Sequence, residues 1–169
     1  MPCCAPQRLL RDLRSVMLPF LVGSAIIATL AQHNSWAAEL SRVAFSKFAL
    51  RNCSASFSCA VGFGSVPGTF KRRYEITNVS CYLAIGNASG SLRYWYLSGT
   101  KSGQLGRIHL RPSLLGTSTT EVTYNANEQG LVVVPGGGEI IVTVAKDAST
   151  AGGINSLQCS IGGYDVTLD

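Results

Sequence analysis

Histidine is almost missing from this sequence: there are two in 169 residues, and His33 lies in an N-terminal stretch that reads as a leader, so His109 stands alone. A hydrolytic triad needs an imidazole between a nucleophile and an orienting acid, and no carboxylate lies near His109 along the chain. C-x-x-C spacing is absent as well, which with one histidine leaves no zinc ligand set. Acids are sparse and scattered, at Glu39, Glu75, Glu121, Glu128, Glu139, Asp147, Asp165 and Asp169 beyond the leader. Glycoside cleavage needs two carboxylates facing each other across a cleft, and nothing in the spacing selects such a pair, so a hydrolase with dispersed acids ranks last among the functional readings. Residues 98–103, Ser-Gly-Thr-Lys-Ser-Gly, lack the spacing and the following helix of a phosphate-binding loop. No repeat of fixed period and no low-complexity tract is present. Neither a cofactor nor a metal is expected.

What is there points to export. Arg8, Arg11 and Arg14, with one acid at Asp12, precede an uncharged apolar run over residues 16–31. Small residues follow in Ser35-Trp36-Ala37, the pattern of a signal peptide cut between Ala37 and Ala38. A membrane anchor would need about 20 apolar residues, and this run is shorter and contains Pro19; the membrane is reached only through an uncleaved leader. The expected organisation is a signal peptide over 1–37 and one domain over 38–169, acting in the periplasm or as a secreted protein.

Three of the 14 basic residues and one of the nine acidic ones belong to that leader, which leaves a mildly basic domain of charge +3. Its densest basic cluster is Lys71-Arg72-Arg73, too small for a nucleic-acid interface and better read as a strand edge guarded against pairing. No nucleic-acid partner is expected.

Four cysteines remain after the leader, Cys53, Cys59, Cys81 and Cys159, an even number suited to an oxidising compartment. Three pairings are open; nearness in sequence favours Cys53 with Cys59, and a shared apolar strand face favours Cys81 with Cys159.

Apolar residues recur at every second position, which predicts half-buried strands. Phe57, Cys59, Val61 and Phe63 form one such set, and Phe70, Tyr74 and Ile76 the next. The phase then slips to Val79, Cys81, Leu83 and Ile85, so an extra residue near Thr77-Asn78 must be absorbed. Further strands are expected over 92–97, 107–111, 120–124, 131–134 and 139–146, with a loop over 98–106 and a turn at Pro135-Gly136-Gly137-Gly138. The last segment changes phase at Gly162-Gly163, reading as a bulge in one bent strand or a hairpin between two. Residues 40–50 suit a helical face as well as a strand. About eight strands in roughly 130 residues describe an all-β antiparallel β-sandwich, with jelly-roll topology as one way to wire it and a small closed barrel as the alternative.

Two groups could bind a ligand. In the run Tyr94-Trp95-Tyr96, an outward Arg93 would carry Trp95 to the same face as a stacking platform; the opposite phase buries Trp95 and Leu97 and leaves the tyrosines outside. At strand spacing, Arg107, His109 and Arg111 form a stripe suited to an anionic glycan. Asn52, Asn78 and Asn87 each begin an N-x-S acceptor pattern, which matters only in a host that glycosylates. The leading expectation is a non-enzymatic binding module for carbohydrate or a protein partner, and the alternative is a structural or assembly subunit of the cell surface.

Overall fold

Strands form where side chains alternate, because each pleat turns successive residues to opposite faces. The computed structural model describes residues 40–68, 71–86, 91–101, 104–147 and 152–168, all within one compact unit. The leader, the Ala37–Ala38 cleavage site, Phe70 and Asn87 lie outside the described residues. The described residues form nine strands and no helix: β1 (Leu40–Ser56), β2 (Ser58–Ser65), β3 (Arg72–Gly86), β4 (Leu92–Thr100), β5 (Gln104–His109), β6 (Ser113–Thr117), β7 (Glu121–Pro135), β8 (Glu139–Lys146) and β9 (Ile154–Leu168).

All pairing is antiparallel. One sheet has five strands in the order β1-β9-β3-β7-β6, and the other has four in the order β2-β8-β4-β5. The pairs β1·β9, β2·β8, β3·β7 and β4·β5 are nested, like one long hairpin wrapped so that successive strands drop into alternate sheets. This is the jelly-roll wiring of a β-sandwich, with β6 added beside β7. Neither sheet closes on itself, which removes the barrel alternative.

The inner faces meet in a core that includes Ile76, Leu83, Leu157 and Ile161 from the larger sheet and Leu97, Ile140 and Val142 from the smaller, all fully buried. Each such side chain contributes about 1.5–3 kcal/mol by leaving water. Both expected disulfides form. Cys81 and Cys159 are direct cross-strand partners on β3 and β9, with Cα atoms 4.1 Å apart. Cys53 and Cys59 close the corner between β1 and β2, 5.7 Å apart. In that corner Ser54 and Ala55 take left-handed φ values of 50° and 57°.

The phase slip at Thr77-Asn78 is a bulge in β3, where pairing to both β7 and β9 shifts between Ile76 and Asn78. The Gly162-Gly163 slip is the other side of the same feature. β9 is one strand, and its register with β1 runs unbroken through both glycines. A Cβ on Gly163 would overlap the Glu75 carbonyl oxygen, and one on Gly162 would lie 2.6 Å from Asn78 Oδ1, so the glycines make room for the bulge.

Other expectations change. Residues 40–50 are strand, with Phe45 and Ala49 packed on the core and Phe48 and Leu50 exposed. Residues 98–106 are mostly paired strand, since Gly99 faces Gly106 beneath Val132 and Val134, where no larger side chain fits opposite Val134. The two strands expected over 120–134 are one, β7; its middle shows little apolar alternation because Asn125, Asn127 and Gln129 lie on the outer face and only Ala126 is buried. The short edge strand β6 carries exposed Leu114 and Leu115 and shows no periodic signal.

Candidate functional site

The outer face of the four-stranded sheet is built from residues that alternate with core residues on each strand. On β4, Trp95, Leu97 and Gly99 point inward, and Tyr94, Tyr96 and Ser98 point outward. The expected exposure of Trp95 is therefore reversed: it is 3% exposed and stands opposite Val144, while Tyr94 is 40% exposed. The cause is a register shift between Leu92 and Tyr94. Arg93 sits in that irregularity and is exposed, but its direction does not carry over to Trp95 because the extra residue breaks the alternation. Trp95 Nε1 is buried and has no hydrogen-bond partner among the described residues.

Cross-strand register arranges the outer face in rows. His109, Tyr96, Thr143 and Ala60 are successive partners across β5, β4, β8 and β2. On one side runs the row Tyr94, Ala145 and Ser58, and on the other Arg107, Ser98, Ile141 and Gly62. Arg107 and His109 thus share this face as the stripe predicts, whereas Arg111 lies beyond the end of β5 and is held through its backbone N–H, which donates to Glu128 Oε1 at 3.2 Å.

The rings gather around Tyr96. Tyr94 lies 5.5 Å away between centroids, His109 6.3 Å, and the Arg107 guanidinium sits over the ring at 4.4 Å. Beyond Thr143 and Ala60 the face opens into a shallow cavity of about 390 Å³ at the disulfide corner, lined also by Arg51, Asn52 and Ser58. Arg51 donates from Nη1 to the Ala60 carbonyl at 3.1 Å. Flat small residues therefore separate an aromatic ridge from a polar hollow.

Three other cations are ion-paired. Arg42 and Arg73 both pair with Glu75, at 2.6 and 2.8 Å, and Arg72 makes a two-pronged contact with Asp165. The hydrogen bond from Arg72 holds the Asp165 carboxyl below its usual range, against partial desolvation. Both arginines of the Lys71-Arg72-Arg73 cluster thus have carboxylate partners, while among the described residues Arg107 and Arg51 make no ion pair. No group of three or more metal-ligating side chains occurs among the described residues.

The contributions of Tyr96, Thr143 and Arg51 escape sequence reasoning. Tyr96 is hidden by the phase at Arg93, and the other two join the face only through the pairing of distant strands. The chain matches no family model, no curated protein and no solved structure.

Proposed function

We propose that this protein is an exported, disulfide-stabilised β-sandwich that binds carbohydrate without transforming it, on the outer face of the four-stranded sheet. The observation that carries the reading is exposed Tyr94 beside half-buried Tyr96, with Arg107 stacked on Tyr96 and the small, half-buried residues Thr143 and Ala60 next to them. Exposed aromatic faces accept the apolar side of a sugar ring while neighbouring polar groups take its hydroxyls. Two formed disulfides suit an oxidising compartment, periplasmic or extracellular. A glycan array comparing the oxidised protein with Tyr96→Ala tests the reading. Binding to one glycan class, lost in a variant that still melts cooperatively and well above the assay temperature, is expected; no binding, or equal binding by both proteins, overturns it.

A second reading, an assembly subunit of the cell surface, is favoured by the edge strand β1. It is 17 residues long, contains no proline and exposes Val43, Phe48 and Leu50. Lys47 and Arg51, cations of the kind that guard an edge, turn across to β2, where they donate to the Phe63 and Ala60 carbonyls. Concentration-dependent oligomers in light scattering, dispersed by Phe48→Lys, are the expected sign of this reading; a monomer at every concentration removes it.

A further inference from the structure

We infer that the ligand of this face is an acidic polysaccharide whose chain crosses the strands from Arg107 and His109 to Arg51. The inference rests on the carbohydrate reading above and adds charge, direction and length to it. The path is the row His109, Tyr96, Thr143, Ala60, in which every neighbour is a direct cross-strand partner. Three interstrand spacings make it about 14 Å long, and Arg51 extends it through its bond to the Ala60 carbonyl.

Charge complementarity selects the occupant. Neither this row nor its two flanking rows contain a carboxylate; along the chain of β8 the nearest acids lie outside them, Glu139 one row beyond Ile141 and Asp147 two residues beyond Ala145. Arg107 uses the flat of its guanidinium on Tyr96, which leaves the in-plane N–H groups for an oxyanion. Arg51 spends one N–H on Ala60 and is otherwise exposed. A planar fork at each end of a stacking surface fits an acidic group at each end of an oligosaccharide. On the opposite sheet the comparable contact, Arg42 over exposed Tyr164 at 4.5 Å, is neutralised by Glu75, and the outer row Phe48, Ser160, Ser80 and Asn127 is uncharged.

Titration calorimetry on the purified, oxidised protein tests this, with a galacturonate oligomer, its fully methyl-esterified counterpart, the galacturonate monosaccharide and a single-stranded oligodeoxynucleotide as probes. The acidic oligomer is expected to bind about tenfold or more tightly than the ester or the monosaccharide, as one charged hydrogen bond implies. Arg107→Gln and Arg51→Gln should each lose about tenfold for the acidic oligomer and little for the ester. Thr143→Glu, which puts a carboxylate in mid-path, should lose acidic binding while melting normally. Equal binding of acid and ester, still dependent on Tyr96, overturns the acidic assignment and leaves the carbohydrate reading standing. An effect of Arg107→Gln without one of Arg51→Gln overturns the cross-strand path. Failure of every sugar, or preference for the oligonucleotide, overturns both.

Discussion

Arg107 on β5 stacks on Tyr96 of β4, although the residue directly opposite Tyr96 is His109 and the one opposite Arg107 is Ser98. The contact is a diagonal cross-strand pair, within reach because a long side chain leans across the pleat. It leaves one tyrosine ring in contact range of a guanidinium, an imidazole and a second tyrosine, on the face away from the core.

The phase of β4 makes Trp95 a core residue and Tyr96 a surface one. Trp95→Ala should lower unfolding free energy by about 3–5 kcal/mol. Tyr96→Ala removes a half-buried ring with its cation–π contact and should cost about 1–2 kcal/mol. Urea titrations of the two variants check the order, and equal losses would show that the burial pattern is wrong.

The two disulfides should differ in weight. Cys81–Cys159 spans 78 positions and Cys53–Cys59 only six. Loop-closure entropy assigns them about 4.5 and 2 kcal/mol. The Cys81→Ala/Cys159→Ala protein should therefore unfold at distinctly lower urea than Cys53→Ala/Cys59→Ala, and the reverse order would contradict the entropic account.

Asp165 ties stability to pH. Its folded-state pKa is held below the usual value, mainly by the hydrogen bond from Arg72. The stability it adds is thus fully present above the ordinary carboxylate pKa of about 3.9. It is lost as pH falls through the lower folded value. Asp165→Asn should be less stable than wild type near neutrality, with the gap closing in acid; a gap independent of pH would refute the linkage.

Glycines at 163 and 62 should respond in opposite ways. At Gly163 a Cβ would overlap the Glu75 carbonyl and come 2.9 Å from the Ile76 Cα, while at Gly62 no atom lies within 4 Å. Gly163→Ala is expected to cost about 3 kcal/mol or more, because backbone must move. Gly62→Ala should be neutral, or stabilising by up to about 1 kcal/mol. Thermal melts of the pair decide the point.

Much of this was legible in the chain, and the failures are instructive. The bulge at Thr77 could be located because apolar residues change parity there, a signal confined to a few neighbours. A similar irregularity at Arg93 could not, since Arg93, Tyr94 and Tyr96 all tolerate either side of a pleat. The middle of β7 was invisible because polar residues on its outer face leave little apolar alternation.

Residue order alone indicated the β class and the outward direction of Arg107 and His109, and favoured without deciding two stacked layers and the cysteine partners, because period-two alternation is a local property that burial converts directly into facing. Tertiary structure alone decided that β5, β4, β8 and β2 lie side by side, that Trp95 turns inward and that Arg51 reaches the row of Tyr96. Strand adjacency depends on contacts between residues far apart in the chain, and one bulge is enough to reverse a face, so neither is encoded in any short window of sequence.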